Sequence, residues 1–313
     1  MTSFSKRKSC TEEFCRSVGF PAEDEKKLTD AFARIEANPT AAALFEKYVG
    51  LYEKNAELDY EQALSEAEAL GEPTGLSPYT LHLLLLILMT PHLHARYRAA
   101  GISEDIFHDT VSDLKWKLAE CKRMYGITGT FVAPWHTRIF QMKLFALGRL
   151  QFETVSFKKD FSVGPYAVSA GQIVLNVHIP ACGALEREAC LASYALAESF
   201  FAGQYLKDRP LVFQCDSWLL FPEHRVMLPE TSNIRRFAED YAIVEARYSA
   251  PGVRPWPLFY QKKSAPATEL PRNTTLERLY AERYEKGLPS GGALGVIFYQ
   301  NGRILNTRKE NMA

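Results

Sequence analysis

The chain has 313 residues with 37 Lys plus Arg against 37 Asp plus Glu, so its formal net charge is zero and nothing electrostatic favours nucleic acid or an anionic membrane surface as a partner. A hydrophobic fraction of 47% and an aromatic fraction of 12% suffice for a sizeable core and exclude extensive disorder; the length fits one large or two ordinary domains. The six cysteines show no C-x-x-C spacing, which excludes a zinc knuckle or a disulfide framework, and the charged opening Met1–Lys8 has no apolar stretch behind it and does not read as a signal peptide. The expectation is a reduced, cytoplasmic, globular protein, in which Lys6-Arg7-Lys8 is only a short solvated cluster.

Up to about residue 125 the period is helical. Leu28, Phe32 and Ile35 recur at spacings of four and three between Ala22 and Asn38; Pro39-Thr40 then opens a helix to Lys54 with Leu44, Tyr48 and Leu51 on one face. Asp59 to Leu70 is a third candidate, ended by Gly71 and Pro73. Ser77-Pro78 signals the start of another helix, whose run Leu81–Met89 is too short for a bilayer span of about 20 apolar residues and reads as a buried core helix. Ser103 opens a further helix through Trp116 to near Gly126. His82, His92 and His94 do not share a helix face, so packing or surface roles are expected of them and no metal site.

Pro134 to Leu147 still reads as helix. After Gly148 the period drops to two: Arg149–Phe157 alternates as a half-buried strand does. Strands are expected over Ile173–Ile179, Leu211–Leu219, Tyr241–Tyr248 and Leu294–Tyr299, and helices over Glu186–Phe201 and Thr275–Lys286. Pro251–Pro271 reads as a long loop, and Ser290–Gly295 as a Gly-rich turn. The expected division is a helical domain over 1–126 and a sheet domain over 127–313, with Pro134–Leu147 able to belong to either half.

Period-two geometry places Asn176 with His178 on one face of a strand, Gln214 with Asp216 on one face of the next, and Arg149, Gln151 and Glu153 together on the first. Polar groups inside apolar strands are costly to bury unless paired, so they bond one another or line a cleft. A neutral His or a carboxylate in such a cleft can act as a general base. His178 is the candidate base, Asp216 its orienter and Glu153 the alternative base; a core histidine satisfied by hydrogen bonds explains His178 equally well. Cys215 has the opposite parity to Asp216 and is expected in the core.

Four phrases carry a resemblance: Leu147–Glu153, Leu175–Pro180, Cys215–Leu220, and Leu228-Pro229 with Ser232-Asn233-Ile234. From about Phe32 to Tyr299 the chain resembles proteins that join a helical N-acyltransferase N-terminal domain to a GNAT-like C-terminal domain. The implied fold is α+β, an N-terminal helical bundle followed by a GNAT-like mixed β-sheet with flanking helices. The implied reaction moves an acyl group from acetyl-CoA or a longer acyl-CoA to an amine of a small molecule or peptide, without metal. Related chains carry Cys-His-Ser-Trp where this one has Asp216 in the His place. The donor would lie along Val177 and Ile179, the loop Ala181, Cys182, Gly183, Ala184 and Leu185, and Arg187. That loop has one glycine where the usual GNAT fingerprint has two. Arg149, Gln151, Asn176, Ser217, Trp218 and Asn233 are the implied substrate-binding residues. A GNAT-fold protein that binds ligands or acts as an adaptor, having lost its chemistry, is the alternative.

Overall fold

A computed structural model describes residues 3–205, 210–250, 252–260 and 266–306. The chain forms two compact units, Met1–Ala146 and Leu147–Ala313. The first is helical: α1 (Ser3–Ser17), α2 (Ala22–Ala37), α3 (Pro39–Lys54), α4 (Tyr60–Glu68), α5 (Gly71–Thr74), α6 (Pro78–Ala99), α7 (Glu104–Val111), α8 (Asp113–Tyr125) and α9 (Ala133–Phe140). α6 is its core. Every residue from Thr80 to Thr90 is buried, as expected of a helix that is apolar all round. Ser77 caps it by accepting from the Tyr79 amide, and Pro78 occupies the first turn. The loop after α8 closes on the start of α6: Thr130 N donates to the Tyr79 carbonyl at 2.9 Å, and Thr80 Oγ1 donates to the Thr128 carbonyl at 2.8 Å. Gly129 has to be glycine there, because a Cβ would stand 2.4 Å from the Tyr79 carbonyl carbon.

Three expectations fail in this unit. The helix predicted from Ser103 to Gly126 is two, separated at Ser112. Pro134–Leu147 is not one helix: α9 ends at Phe140, Met142 adopts a left-handed φ of 55°, and Leu144–Leu147 is a strand. The division falls between Ala146 and Leu147 and not near residue 126. Its physical cause is that α9 is tied into the helical unit, with the Tyr52 hydroxyl donating to the Phe140 carbonyl at 2.9 Å and Ala146 N donating to Thr110 Oγ1 at 2.9 Å. The side chains of Lys6, Arg7 and Lys8 lie outside the described residues.

β1 (Leu144–Leu147) straddles the division, and beyond it run β2 (Leu150–Ser156), β3 (Phe161–Val163), β4 (Tyr166–Val168), β5 (Ile173–His178), α10 (Arg187–Tyr205), β6 (Leu211–Ser217), α11 (His224–Met227), α12 (Asn233–Glu239), β7 (Ala242–Tyr248), α13 (Trp256–Phe259), α14 (Thr275–Glu285), β8 (Gly291–Gln300) and β9 (Arg303–Ile304). The strand order is β1-β2-β5-β6-β8-β7, with β9 beside β8 and β3–β4 a separate hairpin. β5 and β6 are parallel, and β2–β5, β6–β8 and β7–β8 antiparallel, so the sheet is mixed and the fold is the expected α+β. One sheet face packs Phe152 and Phe213 against Tyr194 of α10, with the Tyr194 and Phe213 ring centroids 4.9 Å apart. On the other face Val174, Val212, Val296 and Phe298 pack with Val168 of the hairpin.

Ser290–Gly295 is not a turn. Gly291 opens β8, and a Cβ on it would lie 2.4 Å from both the Arg247 carbonyl oxygen and a Phe221 ring carbon, so glycine serves close approach inside a strand. The predicted Pro251–Pro271 loop contains α13 and a 3₁₀ turn at Ala267–Glu269; residues 251 and 261–265 lie outside the described ones.

Candidate functional site

The parallel strands β5 and β6 pair at Leu175–Phe213 and Asn176–Gln214. β5 continues to His178 and β6 to Ser217 without pairing to each other again, so the two strands part just beyond Asn176. His178 stands at that fork. On its other side β2 is in antiparallel register, with Gln151 opposite His178 and Glu153 opposite Asn176. Directly opposed residues share a sheet face, which is how three strands bring Glu153, Asn176, His178 and Gln214 together.

The contacts form a triangle. His178 Nε2 lies 2.8 Å from Glu153 Oε1, Asn176 Nδ2 lies 3.2 Å from the same oxygen, and Asn176 Nδ2 lies 2.9 Å from His178 Nε2. Only one proton assignment suits a charged Glu153. Its oxygen accepts from both nitrogens, so Nε2 carries the imidazole proton and the basic lone pair of neutral His178 sits on Nδ1. The Asn176–His178 nitrogen contact is then a closeness imposed by their shared acceptor. Gln214 Nε2 donates to Asn176 Oδ1 at 3.1 Å, which holds the Asn176 amide with its nitrogen towards Glu153. The side chains of His178 and Glu153 are 18% and 11% exposed, so the pair is largely desolvated yet reachable from solvent.

Asp216 is elsewhere. It is exposed and ion-paired with Arg247 on β7, while Glu153 takes the place beside His178 expected of it. The physical reason is strand divergence: past Asn176–Gln214 the register that would align Asp216 with His178 is gone. Cys215 is buried in the core as its parity implied, and burial pushes its thiol well above the usual range.

Arg149 precedes β2 and spends its guanidinium on the loop after β5. Nε donates to the Ala184 carbonyl at 2.8 Å, Nη1 to Pro180 at 3.0 Å and Nη2 to Gly183 at 2.7 Å. With no cis peptide among the described residues, each carbonyl opposes the N–H of its own peptide plane. The amides of Ala181, Ala184 and Leu185 therefore point away from Arg149, giving a set of donors just ahead of α10. Gly183 holds a φ of 145°, open to glycine but strained for other residues, while space around it is free. Cys182 lies by the Arg149 carbonyl, its Sγ 3.9 Å away; Leu185 is buried. Val177 is buried, Ile179 is half-buried, and Arg187 meets Asp240 Oδ1 at 2.5 Å.

The remaining sequence candidates hold structure together. Ser217 Oγ accepts from Leu219 N at 3.2 Å, starting a 3₁₀ turn, and Trp218 packs edge-on to Tyr280 and His224. Asn233 Nδ2 donates to Glu186 Oε1 at 3.0 Å, and Gln151 is buried in β2. Gln214 was visible as a polar strand residue, but its role depends on register with Asn176. His82 is buried against the Leu64 carbonyl at 3.1 Å, and His94 stacks on Phe107 while meeting Glu104. No group of three metal-ligating side chains occurs among the described residues, and no helix among them is long and apolar enough to cross a membrane.

Residues 10–142 match the family model of the N-acyltransferase N-terminal domain, and residues 144–297 that of the GNAT-like C-terminal domain. No curated protein matches the chain. Among solved structures it is similar to an acyltransferase in complex with decanoyl-CoA and teicoplanin, with a TM-score of 0.74 and 21% identity over 92% of this chain and 87% of that one. An acyltransferase mutant in complex with octanoyl-CoA and an acyltransferase in complex with CoA and 10C-teicoplanin each align with a TM-score of 0.73 and 20% identity, over the same shares of both chains.

Proposed function

Because the chain belongs to the proteins that join an N-acyltransferase N-terminal domain to a GNAT-like C-terminal domain, we propose that it transfers an acyl group from a CoA thioester to an amine of a small molecule or peptide. The observation that carries this reading is the Glu153–His178 contact of 2.8 Å at the fork of β5 and β6. His178 Nδ1 takes a proton from the acceptor ammonium, directly or through one water. The freed amine attacks the thioester carbonyl carbon, the tetrahedral intermediate collapses with cleavage of the C–S bond, and the leaving CoA thiolate takes up the second proton lost by the attacking nitrogen, giving the neutral amide and free thiol while the imidazolium returns its proton to solvent. Glu153 keeps its charge throughout, fixing the Nε2–H tautomer and stabilising the imidazolium, as a carboxylate does beside any catalytic histidine.

The amides of Ala181, Ala184 and Leu185 and the start of α10 suit the donor's pyrophosphate, since aligned N–H groups and a helix N-terminus favour negative charge. Arg149 then acts by shaping that loop and not by touching substrate. Its three hydrogen bonds to loop carbonyls offer an alternative to the glycine fingerprint that this chain lacks. The octanoyl and decanoyl groups bound by similar acyltransferases support medium-length donors as first candidates.

The test is thiol release from acetyl-, octanoyl- and decanoyl-CoA against a panel of primary amines that includes teicoplanin. Turnover should require an amine, and His178→Ala should lower it by about two to four orders of magnitude. Acyl-CoA binding without thiol release for every donor and amine would instead favour the ligand-binding alternative, for which the exposed, Arg247-paired Asp216 is the supporting departure.

A further inference from the structure

A cavity of about 910 Å³ lies within the second unit, at the start of β7, and none of its lining residues belongs to the Glu153–His178 site. Four arginines line it, Arg187, Arg225, Arg235 and Arg236, with two carboxylates, Glu239 and Asp240. Two ion pairs account for both carboxylates: Arg187 with Asp240 at 2.5 Å, and Arg235 with Glu239 at 2.9 Å. Arg225 and Arg236 remain. Both are exposed, and among the described residues neither has a carboxylate within ion-pair distance. Arg236 Nε donates to the Glu230 carbonyl at 3.1 Å, which orients its guanidinium without neutralising it. Two uncompensated guanidinium groups at one cavity repel each other, in a chain whose net charge is zero.

We propose that Arg225 and Arg236 make this cavity a phosphate-binding site, taking a diphosphate or phosphomonoester ligand. Guanidinium groups match phosphate oxygens in bidentate geometry, and an anion between them removes their repulsion. The volume admits more than a single inorganic ion. One register row joins the cavity to the fork: Ala242 opposes Val296, Val296 opposes Gln214, and Gln214 opposes Asn176. Three strand spacings of about 4.8 Å put the two ends of that row roughly 14 Å apart. A CoA thioester reaching the fork is therefore one source of the phosphate, and this part of the inference rests on the proposed acyl transfer. A separate phosphorylated ligand is the other source.

The experiment is titration calorimetry on the full chain with inorganic pyrophosphate, CoA, dephospho-CoA and pantetheine, for the wild type and for the double variant Arg225→Gln/Arg236→Gln. Both positions are exposed, so the unliganded melting temperature should not move; Arg225→Lys/Arg236→Lys, which keeps the charge but not the fork, guards against a folding artefact. The double Gln variant should weaken CoA or pyrophosphate binding about tenfold or more, with a shallower salt dependence, and leave pantetheine unaffected. Weakened CoA binding with dephospho-CoA spared assigns the site to the nucleotide's 3′-phosphate; weakened CoA and dephospho-CoA binding alike assigns it to the pyrophosphate, in place of the Ala181, Ala184 and Leu185 amides. Weakened pyrophosphate binding in a chain that binds no CoA would preserve the site while removing the acyl-transfer reading. Equal affinities of wild type and double Gln variant for every phosphate ligand would overturn the proposal.

Discussion

Replacing Glu153 by Gln removes one negative charge and almost no volume. Glu153 Oε1 accepts from His178 at 2.8 Å and from Asn176 at 3.2 Å, and a Gln carbonyl oxygen in the same place can accept from both. The ground state thus loses only the difference between charged and neutral hydrogen bonds, about 1–1.5 kcal/mol. The state that follows proton transfer loses more, because an imidazolium then stands beside a neutral amide. Unit charges about 4 Å apart at an effective dielectric of about 20 attract by about 4 kcal/mol, an upper bound on the loss. Turnover of Glu153→Gln should therefore fall between about tenfold and about a thousandfold. The assay is steady-state thiol release at saturating donor and acceptor, read beside the melting temperature, which should stay close to wild type. Because Glu153 acts through His178, the double variant Glu153→Gln/His178→Ala should be no slower than His178→Ala alone. A folded Glu153→Gln with turnover within about twofold of wild type would refute the assignment, as would losses that multiply in the double variant.

Arg149→Lys replaces a fork that meets three carbonyls with a single ammonium, and should raise the KM for acyl-CoA about tenfold while changing kcat less, as seen in donor titrations. Gly129→Ala drives a Cβ into the Tyr79 carbonyl and should cost about 1–3 kcal/mol in urea unfolding, with acyl-CoA binding intact once the protein is folded. Burial pushes the pKa of His82 and of His224 below the ordinary value of 6.5, so the folded chain binds fewer protons at these sites than the unfolded one. Their contribution to stability is present above about pH 6.5 and is lost as the pH falls below it, and a melting temperature that declines on acidification from about pH 6.5 to 5 is the expected result. His224→Gln should flatten part of that decline, since His224 bonds the Leu219 carbonyl and the Tyr280 hydroxyl without needing a charge.

What the sequence determined by itself was local. An all-apolar run behind Ser77-Pro78 has one economical solution, a capped and fully buried helix, and α6 is that helix. Strand alternation set the faces of β2 and β5 before any pairing was known, so Asn176 with His178, and Glu153 with Arg149 and Gln151, were already grouped by parity. The family resemblance was legible in phrases from the same strands, and both family models match. The switch of period near Gly148 also marked the true division more closely than the glycine at 126 did. That position is only a left-handed helix end, with φ of 72°, and an end of a helix is not an end of a domain.

Tertiary structure decided the partners. Parity says which way a side chain faces, but not which strand lies beside it, so Asp216 was expected beside His178 as its orienter and Glu153 only as an alternative base. The antiparallel pairing of β2 with β5 put Glu153 against His178, and the parting of β5 from β6 carried Asp216 to Arg247. Arg149 was among the implied substrate ligands; only the path of the loop after β5 turns three carbonyls onto it. The arginine-lined cavity had no signal in a sequence of zero net charge, because Arg187 and the pair Arg225 and Arg236 come from separate elements that meet only when the sheet and its helices pack. Hydrophobic period is written residue by residue along the chain, whereas register, strand divergence and charge clustering are properties of pairs far apart in it, and these are set only when the whole unit has folded.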